Sequence, residues 1–289
     1  MSTTAESPST PAFRIAQKVC APHKARMFAL GGDTFPHDSQ SLRDALVRGA
    51  KAHGAGEDSV ALGGDFPSLT TLRLDLTGVR LDAWKPSVAV PENVAGGFFV
   101  RVVDLMAEPA LLASVPIQIR LHADDCVFAF GTSADGTRMA ALENCANGTL
   151  DASAATADLE TVLLKLARDA ASEHGAEVQS VRLTLAAENP RAISVTAIAV
   201  AKAMFFTATL TIRGRVALDA DFNLRLSDAT CTGDGMIANL AAAKLRPRIA
   251  ELAARTFSIR TFLPAGLQPA DVALTGGASL RIIATFAGK

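Results

Sequence analysis

Two groups of polar residues in the sequence have types and spacings that could support chemistry. His122 precedes Asp124 and Asp125, and an imidazole with two carboxylates is a nitrogen and oxygen ligand set for a metal ion. Four more carboxylates could supply the acid and base of a glycosidase, whose two carboxyl groups stand roughly 5–9 Å apart. They are Asp219, Asp221, Asp228 and Asp234.

Both groups also have a structural explanation. Asp is a common turn residue, and all six aspartates fall where we predict turns or helix caps. The Gly233-Asp234-Gly235 segment could offer amides to a phosphate, yet it lacks the Lys and the Ser or Thr of a P-loop. No Ser stands in a G-x-S-x-G frame, and the four cysteines form no C-x-x-C pair. We therefore expect no catalytic residue, no metal, no cofactor and no enzymatic activity.

Residues 207–256 carry two apolar patterns in succession, and they would position these carboxylates. Between residues 210 and 226 the even positions are apolar except at Gly214, and the odd positions are polar apart from one Ala. This period of two predicts two antiparallel strands with one apolar face, turning at Asp219–Asp221. From residue 237 the apolar spacing is three or four, which predicts a helix capped by Asp234 and kinked or divided by Pro247. We expect the even-numbered residues to face inward.

The same spacing rules assign the rest of the chain. Residues 41–53 and 158–174 have the apolar period of helices, whereas residues 69–82 alternate like a long, bent strand. A hairpin turning at Asp124-Asp125 is predicted from the alternation on either side of it. Residues 98–115 fit a helix only loosely and stay unassigned, because Gly and Pro interrupt them.

Runs of strands between isolated helices predict an α+β fold with antiparallel sheets. The order of a helix followed by strands recurs at roughly 110 residues, so we expect a duplicated module. Its first copy would span residues 41–150 and its second residues 151–289. Residues 1–40 form a polar segment that we expect to be partly disordered.

Charge and composition exclude some classes of partner. The 289 residues have a formal net charge of −1 with both signs dispersed, so no nucleic-acid footprint is present. Apolar residues make up 49%, which indicates a large internal apolar surface. The first residues lack the charged start and apolar region of a secretory signal. We expect a cytoplasmic protein, or a periplasmic one if a signal has been removed.

Four segments carry a resemblance to a known family. They are Gly64-Asp65-Phe66-Pro67-Ser68-Leu69 before an alternating strand, the strand pair ending Leu226-Ser227-Asp228, the Gly233-Asp234-Gly235 turn opening a Pro-containing helix, and Leu263-Pro264-Ala265-Gly266-Leu267 before the last hairpin. This layout, over residues 41–289, resembles the tubular lipid-binding (TULIP) superfamily and its bacterial branch similar to the mycobacterial lipomannan-elongation protein. The resemblance implies strongly curved antiparallel sheets wrapped around long amphipathic helices, with an apolar tube between them.

The apolar patterns and the resemblance together favour non-enzymatic binding or transfer of a lipid or other hydrophobic ligand. A lipid or fatty-acyl chain is the expected partner, since each buried methylene contributes about 0.8 kcal/mol. The side chains expected to line it are Leu163, Leu166, Phe205, Leu210, Ile212, Val216, Leu218, Phe222, Leu224, Leu226, Ile237, Leu240 and Leu245. A transient membrane contact and the oligomeric state are left open. The alternatives are a structural or partner-binding module with a filled core and, less favoured, a hydrolase acting on a hydrophobic substrate.

Overall fold

A computed structural model of the protein describes residues 27–30, 32, 34–81, 93–112, 114–132, 136–172, 177–203, 206–262 and 267–288. Within these residues lie three α-helices, α1 (Ser39–Lys51), α2 (Thr156–Ser172) and α3 (Gly235–Ala254). The strands in chain order are β1 (Met27–Ala29), β2 (Val60–Asp65), β3 (Ser68–Asp75), β4 (Asn93–Leu112), β5 (Val115–Thr132), β6 (Arg138–Asn144), β7 (Asn147–Ala155), β8 (Glu177–Asn189), β9 (Ala192–Ala203), β10 (Phe206–Leu218), β11 (Asn223–Asp234), β12 (Thr256–Ser258), β13 (Gln268–Thr275) and β14 (Ser279–Ala287).

The strands form two sheets, so the α+β class with largely antiparallel pairing is confirmed. The larger sheet has the order β13-β14-β7-β5-β4-β3-β2, and β6 joins it by pairing with both β5 and β1. Its β3 and β4 run parallel, whereas its other pairs are antiparallel. The smaller sheet, β12-β11-β10-β9-β8, is antiparallel throughout.

Helix α1 packs on the larger sheet and begins with a capping box. The Asp38 carboxylate accepts from the Ser41 backbone N–H at 2.7 Å, while the Ser41 hydroxyl accepts from the Asp38 N–H at 3.1 Å. Leu42 and Ala45 are buried against the sheet. The helix predicted at residues 41–53 is thus confirmed, with an earlier start.

One hydrophobic core joins the two sheets. In the larger sheet its centre is a group of phenylalanine rings, of which Phe98 and Phe128 stack with centroids 4.7 Å apart. Leu218 and Phe222 of the smaller sheet are buried in the same core. This end of the smaller sheet is therefore filled with protein side chains.

The β10–β11 hairpin turns at the predicted aspartates. The Asp219 carboxylate accepts from the backbone N–H groups of Asp221 and Asn223 at 2.9 Å each, which fixes the turn. Val216, Leu218 and Leu224 pack in the core, while Arg213 and Arg225 are exposed. The inward orientation of the even-numbered positions is confirmed at these residues.

Two strand predictions in the first half were wrong, and one segment without a prediction is a strand. The strand predicted at residues 69–82 ends at Asp75, because a turn with Gly78 at φ 81° follows it. The hairpin predicted at Asp124-Asp125 is one continuous strand, β5, in which Asp125 at φ 51° forms a local irregularity. The unassigned residues 98–115 belong mostly to β4, a 20-residue strand.

The sheets are not strongly curled, so the strong curvature expected from the resemblance is not seen. Helices α2 and α3 lie along the two edges of the smaller sheet, against β8 and β11. The sheets also do not divide at residue 150, since β14 pairs with β7 in the larger sheet. The duplicated module stays a prediction.

Candidate functional site

The smaller sheet has one apolar face and one polar face. Directly paired residues of antiparallel strands share a face, so the register defines each one. Two adjacent rows of the apolar face are Val181, Ala199, Leu210, Gly233 and Leu183, Ala197, Ile212, Cys231. The opposite face carries Arg182, Thr184, Thr209, Thr211 and Arg213.

One end of the apolar face is closed. Where the core of the larger sheet covers it, Leu185, Ile193 and Leu218 are buried. In the two rows described above, the central residues Ala197, Ala199, Leu210 and Ile212 are only partly buried. The middle of an apolar sheet face is thus not completely covered by the residues that the structure describes.

Helix α3 lies over β11 on the apolar face. Gly233 permits this close packing, because a Cβ at that position would overlap the Ala238 backbone. Ala238 and Ala242 are fully buried in the contact, and the Arg246 guanidinium donates to the Cys231 carbonyl at 3.2 Å along the free edge of β11. The helix therefore covers an edge strand that would otherwise expose unpaired backbone groups.

Helix α2 covers the other edge of the same sheet in a similar way. The Glu160 carboxylate accepts from the Leu183 backbone N–H at 2.7 Å, and Arg168 Nε donates to the Val178 carbonyl at 2.9 Å. Val178 and Val181 are buried beneath this helix, yet none of the α2 side chains that the structure describes is itself fully buried. Among the described residues, nothing covers the side of α2 that carries Leu163 and Leu166, which are 37% and 59% exposed.

The edge contacts identify which side of each helix faces the middle of the sheet. On α3, Arg246 lies on the outer side of the helix, because it bonds to the free edge of β11. At about 100° of rotation per residue, Ala241 and Arg248 lie on the opposite, inner side, and Lys244 lies on the same side but is turned away from the sheet. On α2, Arg168 marks the outer side, and the same rotation places Leu159, Leu163 and Leu166 on the inner side.

From these orientations we infer a groove over β9 and β10, between the two inner sides. Three strand spacings separate β8 from β11, about 14 Å, and a helix with side chains is about 10–12 Å wide. A gap of about 2–4 Å then remains between helices centred over these edge strands. The upper end of this range is close to the width of one extended hydrocarbon chain, and we call the space the α2–α3 groove.

The predicted ligand-lining residues fall into four groups. Leu163 and Leu166 stand on the α2 wall with 37% and 59% exposure, and Leu210 and Ile212 form the floor. Val216, Leu218, Phe222, Leu224 and Leu226 lie towards the closed end. Leu245 is partly buried on the sheet side of α3, whereas Leu240, midway in sequence between the buried Ala238 and Ala242, points away from the sheet and is 64% exposed. Phe205 and the side chain of Ile237 lie outside the described residues.

The sequence reasoning missed part of the groove. Its α3 wall carries Lys244 and Arg248, and its floor carries the small residues Ala197 and Ala199. Alanine at alternate positions 197, 199 and 201 of β9 is a signal that could have indicated a floor without bulky side chains. The positions of the two cations depend on how α3 is rotated about its axis, which the contacts of Gly233 and Arg246 define.

A second candidate is a charged depression of about 720 Å³ on the outer face of the larger sheet. There His122 Nδ1 lies 2.7 Å from Asp104, and His122 Nε2 lies 3.3 Å from Asp124. The hydrogen bond with Asp104 raises the pKa of His122, although burial partly opposes it. Arg120 and Glu108 form a neighbouring ion pair at 2.6 Å. The charges of this depression neutralise one another in pairs across exposed strands.

Neither a metal centre nor a reactive thiol is present in the described part of the chain. No group of three or more His, Cys, Asp or Glu residues there could hold a metal ion. The described cysteines, Cys126, Cys145 and Cys231, are buried free thiols. Burial raises the pKa of Cys126 to about 12, so its thiolate is scarce at neutral pH.

Comparison of the chain with protein-family models, curated proteins and solved structures gives no match. None of the helices described has the length and apolarity needed to cross a membrane.

Proposed function

We propose that the protein binds a lipid acyl chain or a similar hydrophobic ligand in the α2–α3 groove, without catalysing a reaction. The observation that supports this most directly is the incomplete burial of the apolar sheet centre. Leu210 and Ile212 lie between two helices yet stay partly accessible, and Leu163 and Leu166 face them from α2 with large exposed fractions. Apolar surface arranged in this way is stabilised when a hydrocarbon chain covers it.

The shape of the groove favours a chain over a compact molecule. It is narrow, it is bounded on both sides by helices, and its closed end meets the core that contains Leu218 and Phe222. Alanines in the floor leave room along its length. The resemblance noted in the sequence supports the same proposal. The tubular lipid-binding family holds its ligand in an apolar space between sheet and helix, and the α2–α3 groove would serve the same purpose with flatter sheets.

Titration with the neutral fluorescent probe Nile red tests the proposal. The wild-type protein should bind the probe with a large rise in emission. A Leu163→Gln/Leu166→Gln variant should bind it several-fold more weakly, with little change in stability because both side chains are largely exposed. The matched control is Ile198→Gln, since Ile198 is 38% exposed on the opposite face of the sheet.

Native mass spectrometry of protein exposed to a lipid extract is the complementary measurement. A bound mass in the range of a lipid or fatty acid, lost in the double Leu variant, would support the proposal. Absence of both probe binding and bound mass in the wild type would overturn it in favour of a module with a filled core.

A further inference from the structure

The α2–α3 groove has two chemically different walls. The α2 wall presents Leu159, Leu163 and Leu166, and the charged residues of that helix lie at other angles around its axis. The α3 wall presents Lys244 and Arg248, one helical turn apart on the same side. A purely apolar ligand would use only one of these walls.

Lys244 and Arg248 are available for a ligand. Both are exposed, and neither has an ion-pair partner among the residues that the structure describes. Arg246, between them in sequence, points the other way and holds the Cys231 carbonyl of the sheet edge. The only acidic residue of α3, Glu251, lies on the same side three residues after Arg248, so this wall carries two cations and one anion.

Arg248 can reach over the groove floor, and Lys244, which is turned away from the sheet, can reach the groove mouth. Lys and Arg place long methylene stems along apolar surface while their charged ends stay in water. An anionic group at the groove mouth would meet both cations, because residues four apart on a helix are neighbours. The hydrocarbon part of the same molecule could then lie on Leu210 and Ile212 against the leucines of α2.

We infer that the ligand of the α2–α3 groove is an acidic amphiphile, with a carboxylate or phosphate at Lys244 and Arg248 and a single alkyl chain along the floor. This inference rests on the proposed function and specifies its ligand. It predicts a preference for acidic over neutral molecules with the same chain. The preference should weaken with salt, because both cations are exposed.

Displacement of Nile red by four compounds tests the inference: palmitate, hexadecyl phosphate, hexadecanol and inorganic phosphate. In the wild type, palmitate or hexadecyl phosphate should displace the neutral probe at lower concentration than hexadecanol. In Lys244→Met/Arg248→Met the tighter acid should weaken by about three- to thirtyfold, the range expected for two exposed ion pairs. Hexadecanol and the probe itself should bind as before.

The control is Arg182→Met/Arg213→Met, which removes two exposed cations from the opposite face of the sheet. It should leave all affinities unchanged. The acid that loses more affinity in the Lys244 and Arg248 variant identifies the head group as carboxylate or phosphate.

The outcomes separate this inference from the proposed function. If acids and alcohol bind the wild type equally, or if the double Met variant binds them as the wild type does, the head-group assignment is wrong while the groove stands. If inorganic phosphate alone displaces the probe, a plain anion site replaces the amphiphile. If the wild type does not bind the probe, the proposed function itself fails.

Discussion

Gly233 and Ala238 are in such close contact that no other residue fits at position 233. The backbone of Ala238 occupies the space where a Cβ of residue 233 would stand. This contact sets the height of α3 above β11 and, through it, the depth of the α2–α3 groove.

Gly233→Ala should therefore lower the free energy of unfolding by about 1–3 kcal/mol, as overpacking of a tight contact does. It should also change Nile red binding, because α3 has to move away from the sheet. Gly56→Ala is the control, since nothing lies within 4 Å of the added methyl group. Denaturant midpoints of both variants measure the effect. Equal midpoints would show that α3 is not seated on Gly233.

Phe222 distinguishes the closed end of the apolar face from the groove. It is buried, and the guanidinium groups of Arg191 and Arg260 lie 5.5 Å and 5.6 Å from its ring centroid. Phe222→Ala should cost about 3–5 kcal/mol of stability, as expected for emptying a packed Phe site. Ligand affinity should stay unchanged at temperatures where the variant is folded. A small stability loss accompanied by altered ligand uptake would mean that the ligand space extends to Phe222.

His122 should make stability depend on pH. Its pKa is raised in the folded protein, chiefly by the hydrogen bond with Asp104. A raised pKa adds stability that is complete below the unfolded value of about 6.5 and is lost as pH rises through the folded value. His122→Gln should thus destabilise the protein more at acidic than at alkaline pH. Urea unfolding from pH 5 to pH 9 measures this difference.

The matched variant for His122 is Asp104→Asn, which removes the main cause of the raised pKa. In that background, His122→Gln should show a much smaller change with pH. An undiminished change would assign the effect to Asp124 instead.

The buried thiols should be unreactive until the protein unfolds. Burial raises the pKa values of Cys126, Cys145 and Cys231. In a Cys20→Ser variant, Ellman's reagent at pH 8 should label fewer than one thiol rapidly in the native state and three in guanidinium chloride. Fast labelling of a thiol in the native protein would contradict the burial of that cysteine.

Strictly periodic segments could be predicted from the sequence, and segments shaped by distant contacts could not. The alternation around Asp219 and the apolar spacing of α2 are local properties, and both elements formed where expected. In β4, the glycines and Pro109 suggested an interrupted segment, although the residues form one long strand. Gly97 is required because a Cβ there would overlap the Phe128 backbone of the neighbouring strand, and Pro109 lies where the pairing with β5 shifts register.

The sequence predicted which apolar residues line the groove floor, but it did not predict which side chains of α3 face it. Apolar strands facing apolar helices indicated a shared interior, and the alternation identified Leu210 and Ile212. The inner position of Lys244 and the outward position of Leu240 depend on how α3 is rotated about its axis. That rotation is defined by the contact of Gly233 with Ala238 and by the hydrogen bond from Arg246 to Cys231. The spacing of apolar residues in the sequence does not reveal either contact.

The pairing of β7 with β14 has a consequence for synthesis on the ribosome. About 130 residues separate paired positions such as Asp151 and Ile283, and the whole smaller sheet with its two helices is made in between. The groove layer can therefore fold while the larger sheet still lacks its last two strands. During that interval the outer edge of β7 is an unpaired template, so the nascent chain is most exposed to aggregation just before β14 is translated.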